Sequence, residues 1–115
     1  MILAQMVGGL FKSPKACDVG AFKAAFRWWF GLTDYEAEWL VYLYGRHDRW
    51  TSTCDLTGAF RVSKAQVRCQ ISRLRTALEA EALDSAPHLG YRLTDSGMGE
   101  CRGALWRMGE ELRRA

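Results

Sequence analysis

The sequence has few of the residues that bind metals or interrupt helices. It contains two histidines, two prolines and four cysteines among 115 residues. The cysteines stand far apart at positions 17, 54, 69 and 101, with no C-x-x-C pair and no neighbouring histidine. Because structural zinc is usually bound by closely spaced ligand pairs, this scatter argues against a metal centre. Scattered single cysteines are typical of reduced thiols, which predicts a cytoplasmic protein.

Motifs of catalysis and of membrane insertion are also missing. The sequence has no nucleophile elbow, no glycine loop that would cradle a phosphate and no internal repeat. The apolar stretch 1–11 is too short to cross a bilayer and lacks the charged region that begins a secretory signal. His47 and Asp48 lie between two arginines, and a polar loop explains this group better than acid–base chemistry. We therefore expect neither an enzyme nor a membrane protein, and no cofactor.

The charge is small in total but unevenly distributed. Sixteen basic and thirteen acidic residues give a net charge of +3. The segment 61–75 has no acidic residue, whereas acidic residues flank it on both sides. Its basic residues are Arg61, Lys64, Arg68, Arg73 and Arg75. A local cationic stripe indicates a surface that binds phosphate, and a solvated helix face is the alternative.

Helical periodicity accounts for much of the chain. The spacing predicts a helix over 18–30 with Asp18 as its N-cap. The stripe of this helix consists of Val19, Phe22, Phe26 and Trp29. A second helix begins with a capping box formed by Thr33 and Glu36 and ends near Gly45. A long amphipathic helix over 95–114 repeats apolar residues at steps of three and four, which is the seam of a coiled coil.

The middle of the chain predicts two helices joined by a tight turn. A short helix over 52–60 precedes a longer one, which Ser63 caps and which extends to about Ala82. The apolar stripe of the longer helix consists of Val67, Ile71, Leu74 and Leu78. This is a helix-turn-helix arrangement whose second helix is basic. Beyond Pro87, residues 91–93 indicate a strand and Gly90 a hairpin turn, so the fold class is mainly α with a small β-wing.

The second of these helices is the candidate element for reading DNA. If its apolar stripe faces the core, the opposite face presents small polar and basic side chains. Such a helix fits the major groove, where Gln66 could pair with adenine and Arg68 or Arg73 with guanine. The DNA contacts predicted on or beside this helix are Arg61, Lys64, Gln66, Arg68, Gln70, Ser72, Arg73, Arg75 and Thr76.

Three motifs in this order resemble the winged helix-turn-helix effector domains of the OmpR/PhoB class. Segment 32–43 (LTDYEAEWLVYL) is similar to the first helix of those domains, 67–78 (VRCQISRLRTAL) to their recognition helix and 90–93 (GYRL) to their wing strand. The resemblance implies a bacterial transcription regulator that binds double-stranded DNA. It also implies a DNA contact by the wing. The arginine that usually precedes the wing glycine is missing here, which leaves His88 and Arg92 as candidates.

The ends of the chain depart from that class. We divide the single domain 1–115 into a helical extension (1–31), a winged helix core (32–94) and a C-terminal helix (95–115). The segment LTDSG at 93–97 resembles the LT-x-x-G signature of MarR-like regulators, whose terminal helices dimerise. A homodimer is therefore predicted, and packing of the two helices within one protomer is the alternative. The predicted interface residues are Phe22, Phe26, Trp28, Trp29, Met98, Cys101, Leu105, Met108 and Leu112.

Two other functions remain open at this point. A winged helix could present its aromatic surface to RNA polymerase or to another regulator, and would then bind DNA weakly and with little salt dependence. Alternatively, Cys69 on the outward face or Cys54 could make DNA binding sensitive to oxidation. No resolving cysteine is adjacent to either thiol in the sequence.

Overall fold

The computed structural model describes residues 19–47, 49–79 and 81–114. The apolar stretch 1–11, Asp18 and Asp48, which enter the predictions above, lie outside these residues. The described chain forms five helices and two strands, so a mainly helical fold with a small sheet is confirmed. The elements are α1 (Val19–Phe30), α2 (Asp34–Gly45), α3 (Thr53–Phe60), α4 (Lys64–Ala77), β1 (Leu83–Ala86), β2 (Gly90–Leu93) and α5 (Asp95–Arg114).

Helix α1 packs against both α2 and α5. The rings of Phe22 and Phe26 each form an edge-to-face pair with the ring of Tyr44 in α2, with centroids 5.8 Å and 5.9 Å apart. All three residues are buried, and so are Cys101 and Leu105 of α5. Aromatic side chains bury much apolar area, so this junction contributes strongly to the stability of the fold.

The ends of the α1 stripe differ from the prediction. Phe22 and Phe26 point into the core as expected, but Val19 and Trp29 are 38% and 46% exposed. Trp29 is the penultimate residue of α1, where the helix approaches its end. Its ring lies beneath the guanidinium of Arg107 from α5, at 5.7 Å. The apolar stripe of α1 therefore extends beyond the part of the helix that is buried: its middle residues lie in the core and its two end residues are exposed.

Helices α3 and α4 join the core through one side of each helix. Leu56 of α3 is fully buried, as are Val67 and Leu74 of α4, and Ile71 is 1% exposed. The predicted capping box of Thr33 and Glu36 is present at the start of α2, and Ser63 forms a second box with Gln66 at the start of α4. Local hydrogen bonding therefore fixes where these two helices begin.

The predicted end of the basic helix is wrong by one turn or more. Helix α4 ends at Ala77 rather than near Ala82, because Leu78 adopts an extended backbone. Residues 78–82 contain good helix formers. The carbonyl of Ala82, however, accepts a hydrogen bond from Thr94 N at 2.9 Å, at the end of the hairpin. A side chain at Gly97 would collide with the same carbonyl. Close packing on the start of α5 thus overrides helix propensity here.

The two strands form an antiparallel hairpin in which Leu83 pairs with Leu93 and Ala86 with Gly90. Strand β1 (LDSA) has no β-branched or aromatic residue and therefore carries no local strand signal. Thr51 adds a bridge to the outer edge of β2. Its N–H donates to Tyr91 O at 2.8 Å, and Tyr91 N donates back to Thr51 O at 2.9 Å. The hairpin is thereby anchored to the segment that leads into α3.

Helix α5 is the longest described element, at 20 residues. It carries charged residues along its whole length, and no helix in the described ranges combines the length and apolar character needed to cross a bilayer.

Candidate nucleic-acid interface

Helices α3 and α4 are joined by a connection of three residues. Arg61 ends α3 in the left-handed backbone region, at φ 54°, and its N–H donates to Thr57 O. Val62 N donates to the same carbonyl at 3.2 Å. Ser63 then caps α4, since its Oγ accepts from Gln66 N at 3.2 Å. Two caps without an intervening loop fix the direction in which α4 leaves α3.

The solvent side of α4 forms one continuous surface, which we name the α4 face. Val67, Ile71 and Leu74 are buried on the opposite side. The helix contains no acidic residue. The exposed residues that define the α4 face are Lys64, Ala65, Gln66, Arg68, Cys69, Ser72, Arg73, Arg75 and Thr76. Their outward orientation is the one that helical spacing predicts.

Side-chain size varies across the α4 face. Helical geometry places Ala65, Cys69, Ser72 and Thr76 along its middle, because these positions lie three to four residues apart. Larger cationic residues stand on the two edges, with Lys64, Arg68 and Arg75 on one edge and Arg73 on the other. A small-residue ridge with cationic edges allows close approach to a groove whose walls are phosphates.

Two of the predicted DNA contacts, Gln66 and Gln70, are constrained by the protein itself. The side-chain oxygen of Gln66 accepts a hydrogen bond from Ser63 N at 2.8 Å, so bidentate pairing with adenine would have to share this oxygen with the cap. Gln70 is half-buried, and its Oε1 is fully buried without a hydrogen-bond partner among the described residues. Gln70, a predicted DNA contact, therefore lies on the flank of α4 that is in part covered by the protein.

Arg73 has a nearby acidic group. Its Nη1 lies 4.0 Å from Glu36 Oε2, while the arginine side chain is 58% exposed and the glutamate side chain 13% exposed. The carboxylate comes from the first turn of α2. A hydrogen bond from the Thr33 backbone holds the pKa of Glu36 below its ordinary value, and the charge of Arg73 acts in the same direction. No sequence pattern indicates this pair, since the two residues lie far apart along the chain.

An open groove of about 520 Å³ separates the start of α3 from the hairpin turn. Ser52, Thr53 and Cys54 line one side, and Pro87 and His88 line the other. Lys64 also lines the groove, so the basic edge of the α4 face continues into it. The first amides of α3 add the positive end of a helix dipole to this region.

The two wing candidates differ in their surroundings. His88 is exposed in the turn, with a left-handed backbone at φ 69°. Arg92 is held by the protein: its Nη2 lies 3.2 Å from Asp84 Oδ2 on the paired strand. Its guanidinium also stacks 4.5 Å from the ring centroid of Trp50. Arg92 therefore stabilises the hairpin through these two contacts. A phosphate of DNA would have to compete with Asp84 for its guanidinium.

The predicted dimer residues fall into two groups. The inner group is at most 4% exposed, so it has no surface left to give to a partner; its members are Phe22, Phe26, Met98, Cys101 and Leu105. They form the packing of α1 and α5 within one chain, which is the alternative to their use in a dimer. The outer group is accessible: Trp28, Trp29 and Leu112 are 48%, 46% and 44% exposed, and Met108 is partly buried.

The cysteines differ in accessibility. Cys54 and Cys69 are exposed, whereas Cys101 is buried, and all three are free thiols. Burial raises the pKa of the Cys101 thiol far above its ordinary value. Cys17 lies outside the described residues. Within those residues, no three His, Cys, Asp or Glu side chains come together in a way that could hold a metal ion.

Comparison of the chain with protein-family models, with curated proteins and with solved structures found no match in any of the three.

Proposed function

We propose that this chain is a cytoplasmic regulator that binds specific sequences of double-stranded DNA, with the architecture of a winged helix-turn-helix. Helix α4 is its recognition helix, the β1–β2 hairpin is its wing, and it has no catalytic role. One observation carries the proposal: α4 presents a cationic face without acidic residues directly after a doubly capped three-residue connection.

The layout of the α4 face supports this assignment. Its small central residues would let the helix axis approach the base edges, and Arg68 and Arg75 would contact phosphates on one side. Arg73 remains 58% exposed on the other edge, where its planar donor fork could pair with guanine. Lys64 and His88, which line the groove beside the wing, would contact the phosphate backbone of the DNA.

Selection of bound sequences from random duplex DNA with the purified chain tests the proposal. We expect enrichment of a short motif, since several edge and ridge residues read adjacent base pairs. Recovery of unenriched sequences, with equal affinity for all duplexes, would contradict specific recognition. Variants of Arg73 should change the base preferred at one position of the motif, whereas variants of Arg75 should weaken binding to all sequences alike.

We further propose a homodimer that uses the outer group of aromatic and aliphatic residues. Trp28 and Trp29 lie side by side, with ring centroids 5.7 Å apart, and each is nearly half exposed. Two half-sites one helical turn apart would supply the affinity that a single small module lacks. Sedimentation equilibrium should show a dimer that Trp28→Ala weakens, and Leu89→Ala, an exposed wing residue, should leave the association unchanged. A wild-type chain that stays monomeric at all concentrations would contradict the dimer.

The same tryptophans favour a second candidate function, in which the chain binds RNA polymerase or another regulator. Exposed tryptophans are typical anchors of protein interfaces. Trp106 of α5 adds a third ring that is 48% exposed. This candidate predicts that the chain has little affinity for duplex DNA, and that this affinity hardly depends on salt concentration. The salt dependence of duplex binding therefore separates the two candidates.

A further inference from the structure

We propose that Glu36 is a positioning residue for Arg73: its carboxylate holds the guanidinium at one edge of the α4 face and so restricts which base pair Arg73 reads. The inference rests on the proposed function. It deepens that function by naming a residue outside the recognition helix that sets sequence preference.

The carboxylate of Glu36 is fixed by α2 and not by α4. Thr33 N donates to Glu36 Oε1 at 2.9 Å, and Glu36 N donates to Thr33 Oγ1 at 3.2 Å. This reciprocal capping box satisfies two amides at the start of α2. Because the side chain is only 13% exposed, neighbouring groups further limit its rotation. The position of its second carboxylate oxygen, Oε2, is therefore fixed relative to α2.

The second oxygen of Glu36 points toward Arg73 at the edge of the α4 face. Glu36 Oε2 lies 4.0 Å from Arg73 Nη1, and more than half of the arginine side chain remains open to solvent. At this distance the contact is an ion pair rather than a hydrogen bond, so the donor fork of the guanidinium remains available for a base. The lowered pKa of Glu36 means that its carboxylate is ionised at neutral pH.

A held arginine differs from a free one in two ways. It loses less rotamer freedom when it pairs with a base, so a correct base pair is favoured more strongly. The carboxylate also repels phosphate, which disfavours poses in which Arg73 would swing to the backbone instead. Both effects increase the ratio of affinities between the correct and incorrect base pair.

Glu36→Gln tests the proposal, because glutamine at this position retains the capping box while removing the charge. We expect the affinity ratio at the base pair read by Arg73 to fall by about two- to fivefold, in line with a partly exposed ion pair. Combined with Arg73→Ala, the variant should add no further loss of preference. Glu38→Gln is the matched control: it removes the same charge from α2, and Glu38 pairs with Lys23 at 3.4 Å rather than with Arg73.

An unchanged ratio in Glu36→Gln, or a change that Glu38→Gln reproduces, would overturn the proposal. A measurement without DNA distinguishes failure of this proposal from failure of the proposed function. The pKa of Glu36, followed by NMR, should rise in Arg73→Ala, and a constant pKa would overturn the contact itself. If the wild-type chain binds no duplex, the proposed function fails whatever the pKa of Glu36 does.

Discussion

Trp39 of α2 and Phe60 at the end of α3 stack face to face, with ring centroids 4.2 Å apart and planes inclined by 12°. Tyr35 and Tyr42 meet the ring of Phe60 at steep angles, at 6.3 Å and 5.5 Å. Phe60 directly precedes the connection to α4. The aromatic cluster therefore fixes the point from which α4, and with it the candidate interface, is oriented.

Replacing Phe60 by alanine removes this stack. We expect Phe60→Ala to lower the free energy of unfolding by about 2–3 kcal/mol, less than for a fully buried phenylalanine because Phe60 is partly exposed. Chemical denaturation measures the change. Leu89→Ala serves as the control, since Leu89 is 49% exposed and its loss should change stability by no more than about 0.5 kcal/mol. Equal stability of the two variants would show that the stack does not stabilise the fold.

Gly90 allows the hairpin to dock on Thr51. Its φ is 101°, and a side chain there would collide with the Thr51 carbonyl. Gly90→Ala should therefore destabilise the chain by more than about 2 kcal/mol, since both backbone strain and a lost bridge contribute. Gly58→Ala is the matched control in the exposed part of α3. A methyl group at Gly58 would meet open space, so alanine should stabilise the helix by about 0.5–1 kcal/mol. Thermal unfolding of both variants decides whether their effects have opposite signs.

Glu100 makes stability depend on pH. Burial raises the pKa of its carboxyl above the ordinary value, although a hydrogen bond from Glu79 N acts in the opposite direction. The folded chain then holds this proton more tightly than the unfolded chain. The associated stability is present below the unfolded pKa and is lost as the pH rises through the folded pKa.

We therefore expect Glu100→Gln to stabilise the chain more at pH 7 than at pH 4, where Glu100 is largely protonated already. Unfolding free energies at both pH values measure this difference. Glu111→Gln, an exposed position on the same helix, should show no such gain at pH 7. A gain from Glu100→Gln that is the same at both pH values would contradict the assigned cause.

The exposed thiols provide a test of redox control. Iodoacetamide should modify Cys54 and Cys69 in the folded chain, whereas Cys101 should react only after unfolding. Mass spectrometry of native and denatured samples measures the order of modification. Rapid native labelling of Cys101 would contradict its burial.

DNA binding by the alkylated protein tests whether modification of Cys69 impairs recognition. Cys69 lies in the middle of the α4 face, so a carboxamidomethyl group there should weaken binding by obstructing the approach of the helix. Cys69→Ser should bind DNA normally and resist this effect. If labelled wild-type protein binds as tightly as unlabelled protein, redox control through Cys69 is eliminated.

Local signals predict much of this fold. The capping box of Thr33 and Glu36 and the cap at Ser63 are predicted from the sequence, because the hydrogen bonds of a cap involve residues three apart. The exposed and buried sides of α4 follow from the spacing of Val67, Ile71 and Leu74. Helix α5 covers the range 95–114 over which its periodic pattern predicts a helix. These features depend on neighbours along one element, so they need no knowledge of distant packing.

The features that sequence analysis misses depend on contacts between distant segments. The end of α4 at Ala77 is set by packing of Ala82 on the start of α5, which no local propensity reveals. The Thr51–Tyr91 bridge and the approach of Glu36 to Arg73 likewise join segments far apart in the chain. The a/d pattern in α5 identifies a buried side, but periodicity does not say whether the covering surface belongs to the same chain; Met98, Cys101 and Leu105 are covered by this chain itself.

The central claim is that the α4 face binds the phosphates of duplex DNA, and the salt dependence of binding tests it most directly. Fluorescence anisotropy with one selected duplex should be recorded over a range of salt concentrations for wild type, Arg68→Ala and Arg114→Ala. Arg114 is a matched control at the end of α5, with a side chain that is 73% exposed. We predict a steep loss of affinity with salt for wild type, a slope shallower by about 0.9 for Arg68→Ala and an unchanged slope for Arg114→Ala. A wild-type affinity that does not respond to salt, or equal slopes for the two variants, would contradict the assignment of the α4 face.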